Sequence, residues 1–382
     1  MSEKIKNEKK KFYNINKIVE LYPDAYYYMI IGERSNGKTY SALERALRLH
    51  AKTGEQFAYI RRYNEDVRPK YMNQLFAGHV ANGLISTLTH NQWDSIAFGT
   101  GKFFYTSYNE ETGEMVKSDE PIGFAFDLNS MEHYKSTSFP KITSIIFDEF
   151  MSRDYYLNNE FLLFSNLIST IVRLRTNVKI FMLGNTVNKY CPYFNEMGLT
   201  HIKEQKQGTI DLYKYGANDK LQVVVEYCSR FDKGKGKASD VYFAFDNPQL
   251  QMITTGAWEI AIYPHLPTPY KPKEVVANFF VDFDGDILHG QVVSPSKGGP
   301  FVFLHNKTTP IKSEEKDIVY GQVPSHLRTH RIGFSKNRDA LSQFIRRCIL
   351  ENRVFYATNE VGEIFRNYIM WSEKTNFVGR TM

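Results

Sequence analysis

The sequence predicts an α/β protein: a mainly parallel sheet flanked by helices, followed by a smaller second domain. Three observations predict it. Apolar stretches of strand length alternate with stretches of helical period through the first half of the chain, the alternation that a parallel sheet with helices on both faces produces. The apolar run "YYYMII" ends in a polar loop bracketed by glycines, and apolar residues then restart at helical spacing. Beyond residue 228 the pattern changes: a lysine–glycine tract and a proline cluster precede a last third with its own strands and helices.

Composition bounds the answer. The 382 residues leave room for about two domains. With 42% hydrophobic and 24% charged residues, the chain reads as an ordinary globular protein. No uninterrupted apolar run approaches the roughly 20 residues of a membrane span. The first 17 residues are basic without an apolar centre, which argues against a secretion signal and suggests a solvated arm. Cys191, Cys228 and Cys348 are widely spaced and show no metal-ligand pattern, so they read as reduced thiols of a cytoplasmic protein. A formal charge of +6 permits an anionic partner such as DNA.

Taken in order, residues 26–31 read as a buried strand. Gly32-Glu33-Arg34-Ser35-Asn36-Gly37-Lys38-Thr39 then fits G-x-x-x-x-G-K-[ST], a pattern expected by chance on the order of once in a hundred such chains. Between a strand and a helix it predicts a phosphate-binding loop. The glycines let backbone N–H groups approach phosphate oxygens, Lys38 supplies charge to the β- and γ-phosphates, and Thr39 offers a hydroxyl to Mg²⁺. ATP and Mg²⁺ are therefore the expected ligands. "EQFAYIRR" is the next strand and ends in Arg61 and Arg62, with Arg68 and Lys70 following. Residues 95–128 read as strands broken by turns, and "KITSIIFDEF" as a strong strand. Asp148 and Glu149 end that strand, where one acid is placed to hold the Mg²⁺ shell and the next to polarise the attacking water.

"EFLLFSNLISTIVRLR" predicts a helix of about four turns, and "NVKIFMLGN" another buried strand, ending at Asn185. Asn185 is either a sensor of the γ-phosphate or simply the first residue of a turn. The spacing fits an ASCE-type sheet, in which an extra strand lies between phosphate loop and acids. Arg173 and Arg175, at the helix end, either reach a neighbouring subunit's nucleotide or complement the helix dipole. Arg34 competes with them from within its own loop. "GTIDLYKY" and "KLQVVVEYC" are two further strands, and Lys233, Lys235 and Lys237 mark the best linker candidate.

The stretches "GERSNGKT", "GFAFDLNSMEHYKSTSFPKITSIIFDEF" and "TIVRLRTNVKIFMLGNTVN" together resemble the DNA-packaging (encapsidation) ATPases of small, short-tailed bacteriophages, which belong with the terminase-like motors. The resemblance is specific over residues 26–188. It implies a homo-oligomeric ring, five subunits in the family, attached transiently in the host cytoplasm to the portal vertex of an empty capsid. ATP hydrolysis would drive double-stranded DNA inward, and some members dock on a capsid-bound RNA. It implies Arg173 as the finger, Arg175 as second choice, and Lys135 as a residue acting on the neighbour's nucleotide. The strand and helix order after residue 270 resembles an RNase H-like nuclease domain. Asp282 and Glu360 are the only candidate acids there, so a vestigial domain without cleavage is expected. The expected divisions are a P-loop ATPase domain over 1–228, a linker or lid over 229–269, and the RNase H-like domain over 270–382. Arg61, Arg62, Arg68 and Lys70, then Lys233, Lys235 and Lys237, are the expected DNA-phosphate contacts. The rival readings are a helicase, a terminase with an active nuclease, and a nucleotide-gated scaffold without turnover.

Overall fold

The computed structural model describes residues 12–109, 111–130, 137–153, 155–229, 258–311, 313, 315–335 and 337–378. Contacts divide the chain into two units, Met1–Glu259 and Ile260–Met382.

The first unit is built on one ten-stranded sheet. Its strands are β1 (Tyr27–Gly32), β2 (Gln56–Arg61), β3 (Ser95–Gly99), β4 (Lys102–Asn109), β5 (Glu114–Lys117), β6 (Gly123–Asp127), β7 (Ile142–Asp148), β8 (Lys179–Asn185), β9 (Thr209–Tyr215) and β10 (Leu221–Tyr227). The order is β3-β4-β6-β2-β7-β8-β1-β10-β9, with β5 on β4. The six strands from β6 to β10 in that order run parallel, and antiparallel strands close both edges. β8 thus lies between the phosphate-loop strand and the acid strand, the insertion expected from the sequence.

Among the described residues, seven α-helices accompany the sheet in this unit: α1 (Ile15–Leu21), α2 (Lys38–Thr53), α3 (Pro69–Met72), α4 (Ala77–Ala81), α5 (Leu84–Leu88), α6 (Glu160–Val172) and the short α7 (Pro192–Glu196). The buried strands have apolar residues on both faces, and each face builds its own core. Tyr28 and Ile30 of β1 pack with Ala42, Leu43 and Leu47 of α2 and Ile15 and Ile18 of α1. Met29 and Ile31 point the other way, into a core with Ile145 and Phe147 of β7 and Phe164, Leu167 and Ile171 of α6. The solvated arm expected over residues 1–17 is corrected from Tyr13 onward. Tyr13 N donates to Asn36 O at 3.0 Å, and Ile15 N to Ser41 Oγ at 2.9 Å, so α1 is strapped to the phosphate loop and to α2.

The second unit holds a six-stranded sheet. β11 (Val275–Phe283), β12 (Asp286–Val293) and β13 (Phe301–Asn306) form an antiparallel meander. β14 (Val319–Tyr320) and β15 (His330–Arg331) extend it in parallel beyond β11, and β16 (Val354–Tyr356) pairs in parallel with β13. Asp284 and Gly285, both at positive φ, make the expected two-residue hairpin turn. α8 (Ala340–Leu350), N-capped by Asp339, and α9 (Asn359–Val378) complete the unit. Phe283 meets Tyr368 and Trp371 of α9, which sets the covered face of this sheet. No helix among the described residues is long and apolar enough to cross a membrane.

Candidate active site

The site is assembled where β1, β7 and β8 end together. Gly37, at φ +93°, adopts the left-handed conformation that lets the chain turn directly into α2. At Gly32 the constraint is closeness rather than conformation: a Cβ there would stand 2.9 Å from Cys228 Cβ on β10's end. Asn36 Oδ1 accepts from Lys38 N at 3.2 Å, satisfying one of the helix's first N–H groups.

Lys38 is buried, and its ammonium donates to Glu33 O at 2.7 Å, to Gly32 O at 3.4 Å and to Asn185 Oδ1 at 3.3 Å. Burial pulls its pKa below the ordinary lysine value. Asn185 is therefore placed beside the phosphate-loop lysine rather than in a detached turn. Thr39 Oγ1 donates to Asp148 Oδ1 at 3.0 Å, and Tyr59 OH donates to Asp148 Oδ2 at 2.9 Å. Burial pushes the Asp148 carboxyl up, against Arg61's charge and these two hydrogen bonds, which pull it down. A hydroxyl beside a carboxylate is a hard-oxygen donor pair suited to Mg²⁺. A cavity of ≈ 360 Å³ lies among residues 34–40, Asp148, Glu149 and residues 183–185. Loop curvature, buried lysine and oxygen donors all fit a nucleoside triphosphate with its metal.

Glu149 sits at φ +55°, an unusual backbone state for a glutamate, with its side chain turned to the surface. Arg61 Nη2 holds its Oε2 at 2.7 Å and also approaches Asp66 Oδ2 at 3.6 Å. Two expected DNA contacts are corrected here. Arg61 is engaged with the acid at the site. Arg62 is buried, with Nε 2.8 Å from Glu160 Oε2 and Nη2 donating to Phe150 O at 2.6 Å. Tyr193 OH and Leu157 N complete Glu160's partners, at 2.9 and 2.7 Å. A guanidinium so enclosed has no face left for a phosphate backbone. Arg68 and Lys70 are exposed.

The arginine candidates separate cleanly. Arg175 donates to four backbone carbonyls, of Phe139, Pro140, Ile142 and Ile171. It is a staple between the end of α6 and the start of β7, which corrects its place among the finger candidates. Arg173 is exposed, makes one 3.2 Å bond to Thr137 O, and has φ +52°, ψ −121°. That backbone state is costly for a residue with a side chain and belongs to sites that need a particular aim. Leu174 beside it is fully exposed. Arg34 is 54% exposed and lies 3.5 Å from Glu259 Oε1. Lys135, Lys233, Lys235 and Lys237 lie outside the described residues.

Tyr59, Arg61 as partner of Glu149, Arg62 with Glu160, and Glu259 went unread in the sequence. One signal was present for the first three: β2 ends in a tyrosine and two arginines, and parallel pairing with β7 carries them to the acids. In the second unit Asp282 and Glu360 are both exposed, and no group of three or more histidine, cysteine or acidic side chains that could hold a metal exists among the described residues.

Comparison with known proteins gives a consistent picture. The family model for Podovirus DNA encapsidation protein (Gp16) matches residues 7–213. The DNA packaging protein of Bacillus phage B103 is 30% identical over 173 residues, 44% of this chain and 47% of that one. The DNA packaging protein of Bacillus phage phi29 is 28% identical over 192 residues, 49% of this chain and 50% of that one. The chain thus spans about half the length of the curated relatives it matches. A chain of the bacteriophage Phi-29 viral genome packaging motor assembly superposes with TM-score 0.51 at 19% identity, covering 95% of this chain and 99% of the other, so the likeness of fold extends through both units.

Proposed function

The chain belongs to the family of podovirus DNA encapsidation proteins, and from that premise we propose that it is an ATP-hydrolysing motor that translocates double-stranded viral DNA into an empty capsid. The observation that carries the reading is the convergence of Lys38, Thr39, Asp148, Glu149 and Asn185 around one cavity.

In this reading Lys38 leaves its carbonyl partners for the β- and γ-phosphates. Thr39 and Asp148 would hold Mg²⁺, which when bound would offset negative charge on the phosphates. Tyr59 fixes the Asp148 carboxylate through its 2.9 Å hydrogen bond. Asn185, whose Oδ1 accepts from the lysine ammonium at 3.3 Å, would offer its amide N–H to a γ-phosphate oxygen. Glu149 takes the proton of the attacking water. To do so it must leave Arg61, which makes that ion pair a restraint on the resting site. Arg173 is the finger offered to a neighbouring subunit, with Lys135 a second trans contributor.

The partners we propose are a homo-oligomeric ring, five subunits by resemblance, at the portal vertex of a capsid in the host cytoplasm; some members of the family also dock on a capsid-bound RNA. Arg68 and Lys70 remain the described candidates for duplex phosphates, to which Lys233, Lys235 and Lys237 add. We read the second unit as RNase H-like and without cleavage activity. Its meander extended by parallel strands supports the first part.

The test is ATP hydrolysis with and without duplex DNA and empty capsids. Lys38→Ala should lose nucleotide binding, and Glu149→Gln should bind ATP yet fail to hydrolyse it. Wild-type turnover by Glu149→Gln would remove that residue from the mechanism. Turnover that DNA and capsids leave unchanged would sink the motor reading itself.

A further inference from the structure

Among the described residues that line the nucleotide cavity, Tyr40 is the one with an aromatic ring. It follows Thr39 in the first turn of α2 and is half-buried. One face of the ring is closed by His79 of α4, whose imidazole lies parallel to it, with centroids 3.9 Å apart and planes within 4°. Edge and tip are fixed as well. A Cβ on Gly78 would stand 3.4 Å from Tyr40 Cε2, so the backbone of α4 lies against that edge. Asn82 Nδ2 donates to the Tyr40 hydroxyl at 3.1 Å. His79 is held in turn. Its Nε2–H donates to Tyr40 O at 3.0 Å, and Phe76 packs on it with centroids 5.6 Å apart. Phe76 itself meets Phe57 and Phe103 in the core.

Packing alone gives a poor account of a histidine there. His79 is 1% exposed, and its Nδ1 is buried with no hydrogen-bond partner, which is costly for a polar atom. What the ring supplies is a flat surface of the right size beneath Tyr40. Burial pulls its pKa below the ordinary histidine value, so the stack adds no charge beside the phosphate loop. With one face, one edge and the hydroxyl of Tyr40 taken, the face that remains is the one turned to the cavity. We propose that this open face is the platform for the base of the nucleotide, which stacks there as the outermost member of the column Phe76, His79, Tyr40. The proposal rests on the ATPase reading above. Lys38 and the loop N–H groups hold phosphates and leave the nucleoside to be held by something else. A rigid aromatic face does this for any planar base, because every base has a π-face. It adds affinity for the nucleoside and none for the phosphates.

The experiment titrates ADP and inorganic pyrophosphate, each with Mg²⁺, onto the whole chain as wild type, Tyr40→Phe and Tyr40→Leu. The two ligands share a diphosphate and differ by the nucleoside. Leucine keeps an apolar side chain against His79 but has no π-face. Tyr40→Leu should weaken ADP about fivefold or more, the loss expected for one stacked base, and leave pyrophosphate within about twofold. Tyr40→Phe, which keeps the ring, should leave both within about twofold. Equal losses of ADP and pyrophosphate in Tyr40→Leu would mean that the ring only supports the phosphate loop, and overturn the platform. Tyr40→Phe as weak for ADP as Tyr40→Leu would also overturn it, because the hydroxyl and not the ring face would then carry the contact. A wild type that binds pyrophosphate as tightly as ADP overturns this proposal alone, whereas one that binds neither overturns the ATPase reading.

Discussion

Arg61 and Arg62 are neighbours at the end of one strand, and strand alternation sends them to opposite duties. Arg61 reaches Glu149, whose side chain is 58% exposed, and water screens that pair. Arg62 and Glu160 are both buried and bind each other and the backbone of the segment that follows the acids. Removing one partner of a buried pair strands the other charge, which costs about 3–5 kcal/mol. Where the partner left behind stays in water, the cost is smaller, because that charge remains solvated. Arg62→Ala should therefore lower the unfolding free energy severely, and Arg61→Ala less, because the carboxylate it leaves behind at Glu149 is 58% exposed although Arg61 itself is only 19% exposed. Denaturant unfolding of the two variants against wild type measures this. Equal losses would mean that Arg62 is not the clamp its geometry describes.

Among the elements, the outer face of the second sheet carries the clearest pH signature. His289 and His305 are register partners on β12 and β13, with ring centroids 4.7 Å apart. Phe280 stacks on His289 at 5.0 Å, and Lys307 lies over Phe280. Burial, then the charges of His305 and Lys307, push the His289 pKa down to about 4. The folded value lies below the unfolded value of about 6.5, so the fold favours the neutral ring. Its contribution is intact above pH ~6.5 and is lost as pH falls towards about 4. His289→Gln should therefore show a smaller loss of thermal midpoint than wild type between pH 7 and pH 4.5. Equal losses would show that this histidine does not report on the fold. The same strands show what sequence can reveal. β11 to β13 are apolar-rich runs of strand length and carry a two-residue turn signal, so they are legible. α3, α4 and α5 are four or five residues long, too short to show a helical period, and they went unread between residues 69 and 88. The phosphate loop and acids are local motifs and could be read directly. Which strand brings Tyr59 and Arg61 to Asp148 and Glu149, and that Glu259 meets Arg34, depends on strand order and on contacts across more than two hundred residues. Charge patterning alone makes any exposed arginine pair look like a DNA contact.

At the scale of the whole molecule the open question is whether one subunit completes another's site. Arg173 sits in a strained backbone conformation at the end of α6, exposed, beside the fully exposed Leu174. Strain of this kind costs about 1–3 kcal/mol, the side chain's one bond within the chain is to Thr137 O, and an apolar side chain stands in water beside it. An interface between copies gives that arrangement a use, since Leu174 would be covered and Arg173 delivered to the adjoining nucleotide. Mixing inactive Arg173→Ala protein with inactive Glu149→Gln protein separates the alternatives. If Arg173 serves its own subunit, every site in the mixture still lacks one group and nothing is restored. If it serves a neighbour, some interfaces join an intact Glu149 to an intact Arg173, and those sites hydrolyse ATP. An arginine finger is worth about 10³–10⁵ in rate where measured, so even a minority of repaired sites stands above background. Subunit exchange, shown independently by energy transfer between labelled chains, validates the mixture. With exchange established, a flat result for Arg173 and recovery in the matching Lys135→Ala mixture would transfer the trans role to the lysine. Flat results for both would leave Arg34, at 3.5 Å from Glu259 and within its own phosphate loop, as the catalytic arginine of a site that each subunit completes alone.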